Sequence, residues 1–402
     1  MINPGIDRNR ISPEFLMHLS DPLEALYESL ERDLIINIAR RFRAVPKGMQ
    51  TGTDAWRLYM LEQIGGLTRQ NMLRIAALTG DAANGTVQAL EQAIGAALNM
   101  AEPGLQAMTN RPDYVPARSD TARRVMEHLS AQAIDRLNMV NTTMLNTSLD
   151  AYRDAVGDVT AAVQKYESKL ADAQQTLNTA AGQTAMGTQS RKTAVWDAVR
   201  RMASNGLTGF YDRSGRRWSA QAYVQMDVRT TAANAAREAV MARNADYGNN
   251  LIMVSSHPGA RPLCAPYQGK VYSTDGTSGT VEDLKGRKVQ YTPLSATSYG
   301  EPGGLFGINC GHMPSPFIPG QSINRAAEYD PDDTKRLYAE SQMQRQMERK
   351  IRALKTEAAA VKAAGGDASK ETKAARQATA ELQAWCEANN RDFYPERVQI
   401  VR

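Results

Sequence analysis

Two cysteines and two histidines give one stretch of this chain most of its chemical capacity. His257 and Cys264 lie in SSHPGARPLCAPYQGKVYS (Ser255 to Ser273), and Cys310 and His312 lie in GLFGINCGHMPSPFIPG (Gly304 to Gly320). The 402 residues include only 4 histidines and 3 cysteines, so these four concentrate scarce side chains at the two ends of one Gly/Pro-rich segment. Thiolate and imidazole ligands in two close pairs suit a tetrahedral metal such as zinc. A cysteine beside a histidine base suits nucleophilic chemistry, with Asp275, Glu282, Asp283, Glu301 or Asn309 available to orient the base. Packing cysteines and hydrogen-bonded loop histidines are a third reading. The spacings match neither a zinc finger nor a zinc ribbon. No cysteine-protease signature, G-x-S-x-G, P-loop or G-x-G-x-x-G accompanies them. Residue types alone leave the three readings open. A bound ion would suit the Gly-, Ser- and Thr-rich chain between the pairs, because its binding energy adds to folding where the core is thin.

Arg261, Gln268 and Lys270 alternate with Tyr267 and Tyr272 in the same stretch. Cations and amides among aromatic rings can bind phosphate and stack bases, and the same pattern fits a solvated loop face. The net charge of +5 permits contact with nucleic acid without requiring it. Hydrophobic residues at 42% and charged residues at 23% are ordinary for a globular protein, and the length implies two or more domains. No apolar run approaches about 20 residues, so no membrane contact is expected. The opening MINPGIDRNRISPEF has no apolar core of a secretory signal. Three cysteines make no disulfide framework, which points to synthesis in a reducing cytoplasm.

The elements around the site read as mainly α with a smaller α+β domain. Asp21 and Pro22 open a helix in which Leu23, Leu26, Leu30, Leu34, Ile38 and Phe42 share one face, ending in Arg40, Arg41 and Arg43. Further helices are expected from Asp54 to Ile64, from Thr68, and from Thr86 to Met100, with stops at Gly65-Gly66 and Pro103-Gly104. A long arm follows from Asp120 to Ala181, with Val125, Leu129, Ile134, Leu137, Val140, Met144, Leu145 and Leu149 as buried positions and Gly157 as an interruption. Gly182 to Ser190 reads as a loop, Phe210 to Trp218 as a β-hairpin turning at Asp212 to Gly215, and Ser219 to Tyr247 as a helix. Leu251 to Val254, Lys270 to Tyr272, Val289 to Tyr291 and Leu305-Phe306 read as short strands. From Thr334, Gln344, Ile351 and Ala358 alternate with Met347, Leu354 and Val361 as an a/d seam. A turn at Gly365-Gly366-Asp367 then leads to a second helix with Ala375, Leu382 and Trp385 inward, making a helical hairpin. The domain division is 1–110 helical, 111–190 arm, 191–325 α+β with the Cys/His cluster, and 326–402 hairpin.

The two blocks S-S-H-P-G-A-R-P-x-C-A-P-Y-Q-G-K-V-Y-S and G-I-N-C-G-H-x-P-x-P-F-I-P-G resemble the signature of tailed-phage minor capsid proteins of the minor capsid protein 2 type. More distantly they resemble the Mu F-like head-protein domain. The opening I-N-P-G-I-D, the stretch from Gly206 to Trp218, Arg229-Thr-Thr-x-x-Asn234, and the basic run from Ser341 to Arg352 resemble the same family. In the Mu F-like pattern a Cys- or His-bearing segment before a G-K-V-F/Y turn is followed by H-P-N-C-R-C. The resemblance places Cys264 before Gln268 to Tyr272 in the first block and Asn309 to His312 in the second. Cys and His exchange in that pattern, which a metal site tolerates and a nucleophile does not. Gly311 stands where the pattern has an arginine. The resemblance implies a virion structural protein in the capsid interior or at the portal vertex, without enzymatic turnover. Its implied partners are the portal protein, the major capsid or scaffold protein, and packaged double-stranded DNA. It also implies a domain held by zinc on His257, Cys264, Cys310 and His312. The rival expectation is an effector ejected with the DNA that uses a Cys-His pair for hydrolysis or group transfer.

Overall fold

The computed structural model describes residues 11–46, 52–109, 120–173, 180–206, 210–211, 215, 217–324 and 328–399. Its elements are α1 (Pro13–Arg43), α2 (Thr53–Glu62), α3 (Ile64–Thr109), α4 (Asp120–Ala173), α5 (Ala180–Asn205), β1 (Phe210–Tyr211), β2 (Arg217–Trp218), α6 (Ala220–Asp246), β3 (Leu251–Val254), β4 (Val271–Ser273), β5 (Gly279–Glu282), β6 (Lys288–Pro293), β7 (Pro314–Pro316), α7 (Pro331–Ala363) and α8 (Ser369–Ala388). The protein is mainly helical with one small mixed sheet, as expected. None of the described helices is long and apolar enough to cross a membrane.

The chain divides into two compact units that interleave in sequence. One comprises 1–24, 81–137 and 223–342, and the other 25–80, 138–222 and 343–402. Helices α1, α3, α4, α6 and α7 each give residues to both.

Several helices outrun their sequence signals. Helix α1 begins at Ser12-Pro13, where Ser12 Oγ accepts the Phe15 N–H at 3.1 Å, and Pro22 lies inside it. Both sites pair a capping residue with proline. The earlier one prevails because Phe15, Leu16 and Leu19 bury another stretch of apolar face ahead of Leu23, outweighing the one backbone bond Pro22 cannot make. Helix α3 runs 46 residues through Gly65, Gly66 and Pro103, merging two expected helices. Leu67, Ile75, Leu78, Leu90, Ile94, Leu98 and Leu105 keep a buried face along its length, and a helical glycine costs only about 1 kcal/mol. Helix α4 passes through Gly157 without interruption, and α5 takes in the small-residue segment from Gly182 to Ser190. Leu129, Leu137, Val140 and Met144 are buried as expected, whereas Val125, Ile134, Leu145 and Leu149 are half-buried.

In the second unit, aromatic residues and polar layers set the helix packing. The Phe42 ring stands 6.3 Å from Trp56 and 5.6 Å from Tyr152, and Tyr152 Oη donates to the Met60 carbonyl at 2.7 Å. Asn37 donates to Asn71 at 2.9 Å, and Asn71 donates to Ser148 at 3.0 Å, all three buried. A second chain runs from Tyr27 to Asn141 at 2.9 Å and from Asn141 to Thr79 at 3.1 Å. Each layer joins α1, α3 and α4. The strands β1 and β2 pair antiparallel with Phe210 opposite Trp218, and Trp218 is half-buried. Residues 212–214 of the expected turn lie outside the described residues.

The C-terminal hairpin follows the heptads. Ile351 of α7 packs with Ala378, Leu382 and Cys386 of α8, flanked by Met347, Leu354 and Trp385. Ala358 and Val361 close on Ala368. Gly365 takes φ +81°, the left-handed conformation that ends a helix most easily at glycine.

In the first unit the sheet order is β5-β6-β4-β3-β7, antiparallel except for the parallel β4–β6 pair. Alternation along β3 sends Leu251 and Met253 to one face and Ile252 and Val254 to the other. Leu251 packs there with Val271 and Phe317. Ile252, Val254 and Tyr272 pack with Leu294, Leu305, Phe306, Cys264 and Cys310. Both site cysteines therefore belong to the core of the second face. The expected strand at Leu305-Phe306 is instead a series of turns, with Phe306 at φ +60°. The edge strands β5 and β7 gave no clear signal, β7 being three residues that begin and end in proline.

Candidate metal centre

The register of β3 against β7 determines where the histidines go. Met253 lies opposite Ser315 and Val254 opposite Pro314, so the residues just past β3 run beside those just before β7. Ser255 N donates to Met313 O at 2.9 Å, and Met313 N donates to Ser255 Oγ at 2.9 Å. The rings of His257 and His312 consequently stand 4.4 Å apart. Cys264 closes a turn through its N–H to Arg261 O at 2.8 Å, and Cys310 closes another through its N–H to Gly307 O at 3.0 Å. These two turns bring the thiols together from opposite ends of the segment.

Cys264 Sγ lies 3.8 Å from Cys310 Sγ, and Cys310 Sγ lies 3.4 Å from His312 Nδ1. The three ligand atoms all lie within 4.8 Å of one another, and all three residues are buried. A tetrahedral zinc with bonds of about 2.3 Å to sulfur and about 2.0 Å to nitrogen has edges of roughly 3.8 Å for S···S and roughly 3.6 Å for S···N. The donor set and its spacing fit such an ion. His257 stands beside this trio and not within it. It is half-buried, its Nδ1 is 3.1 Å from Pro258 O, and its backbone N–H meets Gln268 Oε1 at 3.2 Å.

The surrounding groups fix the ligands in place. Gln268 Oε1 faces His312 Nε2 at 3.2 Å, which leaves Nδ1 as the nitrogen turned toward the thiols. The Phe306 N–H points at Cys310 Sγ at 3.2 Å, and the Arg261 guanidinium lies 3.7 Å from Cys264 Sγ. A hydrogen bond from the Cys264 thiol holds Cys310 below the usual thiol range; burial opposes this, while His312 and the Arg237 charge reinforce it. The Cys264 thiol is pushed up by that same hydrogen bond to the Cys310 thiolate and by burial.

Arg237 organises the second turn, and the sequence reading missed it. It lies on α6 with its side chain fully enclosed, donating to His312 O at 3.0 Å, Phe306 O at 3.0 Å and Asn234 Oδ1 at 2.8 Å, and also to Cys310 O. Burial pulls its pKa down to about 10, so the guanidinium stays charged at neutral pH. From the same helix, Arg229 Nε donates to Asn309 Oδ1 at 3.0 Å, and Thr230 Oγ1 accepts the Asn309 N–H at 3.2 Å. Asn309 sits at φ +58°. The Arg229-Thr-Thr-x-x-Asn234 stretch is therefore the clamp on the Cys310 turn. A signal for Arg237 was present: Ala233, Arg237, Val240 and Asn244 form a buried stripe at helical spacing, and one member carries a charge.

The candidate nucleic-acid residues are divided. Gln268 turns its amide oxygen to His257 and His312, and Arg261 points at Cys264 and at Gly304 O, 3.4 Å away. Lys270 is exposed, and Tyr272 is buried with its hydroxyl donating to Tyr267 O at 3.3 Å.

Comparison with known proteins agrees with the two signature blocks. A curated structural protein of Lactococcus phage LL-H is 27% identical over 308 residues, spanning 74% of this chain and 75% of the relative. A structural protein of Lactococcus phage mv4 is 40% identical over 63 residues, 16% of this chain and 51% of that protein. No solved structure matches. The model of the family described as phage minor capsid protein 2 matches residues 11–393, and on that match the chain belongs to this family of phage structural proteins.

Proposed function

We propose that this minor capsid protein is built into the phage head at the portal vertex, facing the capsid interior, and that its α+β region is stapled by one zinc ion. Cys264, Cys310 and His312 supply three ligands. His257 supplies the fourth through a turn of its ring, which already lies against that of His312. The observation that carries the metal reading is the set of two edges, 3.8 Å and 3.4 Å, among buried thiols and an imidazole. Four protein ligands close a tetrahedral site to water and substrate, and a metal-bound thiolate is a poor nucleophile, so the role is structural and without turnover. Portal, scaffold and major capsid proteins are the partners in keeping with a minor head component. Contact with packaged DNA through Arg261, Gln268 and Lys270 is favoured only by the exposure of Lys270.

The rival is an ejected effector using the Cys310 thiolate beside His312. Metal content and the variant Cys310→Ser separate the two. Full-length protein purified without chelator should carry about one zinc per chain, and Cys310→Ser should lose zinc, stability and head incorporation together. Zinc-free wild-type protein would rule out the staple. Normal incorporation of Cys310→Ser with lost infectivity would favour the effector.

A further inference from the structure

The outer groove between α7 and α8 combines a methyl floor with cationic walls. A hollow of about 530 Å³ is lined by Lys355, Ala358, Ala359, Lys362, Ala375 and Arg376, with Thr372, Thr379, Ala380 and Gln383 completing it. A second hollow, about 540 Å³, shares Lys362, Thr372 and Arg376 and continues toward the hairpin tip past Lys373. The lining of the two hollows includes one carboxylate, Asp367, and it is turned onto the Ser369 N–H at 2.9 Å and the Ser369 hydroxyl at 2.5 Å. Lys362, Lys373 and Arg376 are exposed.

We infer that this groove receives an acidic amphipathic helix of another virion protein, making a three-helix bundle with α7 and α8. In the heptads of α7, Ile351 and Ala358 take the a positions, which puts Lys355 and Lys362 at successive e positions. There a charged side chain meets the flank of a neighbouring helix. Lys355 already donates to the Val398 carbonyl, so Lys362 of α7 and Arg376 of α8 are the exposed cations, one on each wall, that glutamates on the two flanks of an incoming helix would meet. The alanines between the walls allow close approach of another helix and lose contact with water only under an apolar face. A phosphate backbone would leave that floor wet. Charge and floor together favour a peptide helix over nucleic acid.

The test uses the full-length protein and a labelled synthetic helix of about 20 residues, with alanine and leucine on one face and glutamates flanking it at heptad spacing. Fluorescence anisotropy should show saturable binding that weakens on the order of tenfold or more in Lys362→Glu/Arg376→Glu, with recovery when the peptide's glutamates become lysines. Ala380→Trp, at an exposed floor position, should block binding while circular dichroism and zinc content stay at wild-type values. Zinc content reads the metal proposal separately, so either idea can fail alone. Absence of peptide binding, binding unaffected by both variants, or preferential binding of a double-stranded DNA oligonucleotide through the same residues would overturn the inference.

Discussion

Replacing Arg237 by methionine removes the guanidinium while keeping most of the side-chain volume. Three carbonyls, of Phe306, Cys310 and His312, then lose a charged donor inside the core. A hydrogen bond to a charged group contributes roughly 1.5–3 kcal/mol, and a buried acceptor left unmade costs about 1–3 kcal/mol. Against this, the variant no longer buries a cation, whose cost is evident in the lowered pKa of Arg237. Taking each carbonyl at about 1–2 kcal/mol after that offset gives a loss of roughly 3–6 kcal/mol. The loss falls on the turn that carries Cys310, so it should also loosen the thiols. Urea unfolding of the full chain, followed by tyrosine and tryptophan fluorescence, measures the stability. A thiol reagent in native buffer measures exposure of Cys264 and Cys310, with Cys386→Ser in the background. Arg237→Lys keeps the charge without the planar fork that reaches several carbonyls, and it should restore only part of the stability. An Arg237→Met protein that unfolds at the wild-type urea concentration with unreactive thiols would refute the account.

Three further outcomes are expected. Asn71→Leu, which breaks the buried Asn37–Asn71–Ser148 chain and leaves two polar partners behind, should cost about 2–4 kcal/mol in urea unfolding, and an unchanged midpoint would count against a structural layer. Gly304→Ala places a methyl group against the Ser298 carbonyl oxygen, so it should abolish zinc retention through displacement of the turn; a wild-type metal content would show that the turn adapts. Burial pushes the Asp283 carboxyl up, but bonds from the Arg287 side chain and from the Arg287 and Lys285 N–H groups outweigh it and hold the pKa below the usual carboxylate range. Its contribution is therefore full above the ordinary carboxylate pKa of about 4 and is lost as pH falls through the lower folded value. Protection of the Lys285 and Arg287 amides from exchange, taken relative to the intrinsic rate at each pH, should fall over that acid range in wild type and be low throughout in Asp283→Asn.

The sequence revealed the composition of the site more readily than its architecture. Cys264, Cys310 and His312 were legible because scarce ligands clustered, and β3, β4, β6 and the α7–α8 hairpin were legible because their apolar periods were clean. Helix ends were harder. Pro22, Gly65-Gly66 and Pro103 are strong local stops, but long buried faces on α1 and α3 carry the helices through them. No local rule registers a face that neighbours cover. The turns around Leu305 and Phe306 were misread as a strand because two apolar residues in succession look the same whether a sheet or a buried turn receives them. A single charge in the buried stripe of α6 marks Arg237 as unusual, but its partners are carbonyls about 70 positions away, and backbone oxygens leave no mark that would say what it binds.

The two polar layers joining α1, α3 and α4 have a mechanical consequence. Leucines can slide past leucines with little change in contact, so an all-apolar helical stack tolerates shear. Here a shift of one helix by one turn, about 5.4 Å, would separate Asn71 from Asn37 and Ser148, and Asn141 from Tyr27 and Thr79. Buried amides and hydroxyls would lose their partners in both layers at once, so the penalties add and no intermediate offset recovers one layer without the other. The three helices are thereby locked against axial slip. A push along one of these helices is passed to the other two at the polar layers and is not absorbed by sliding.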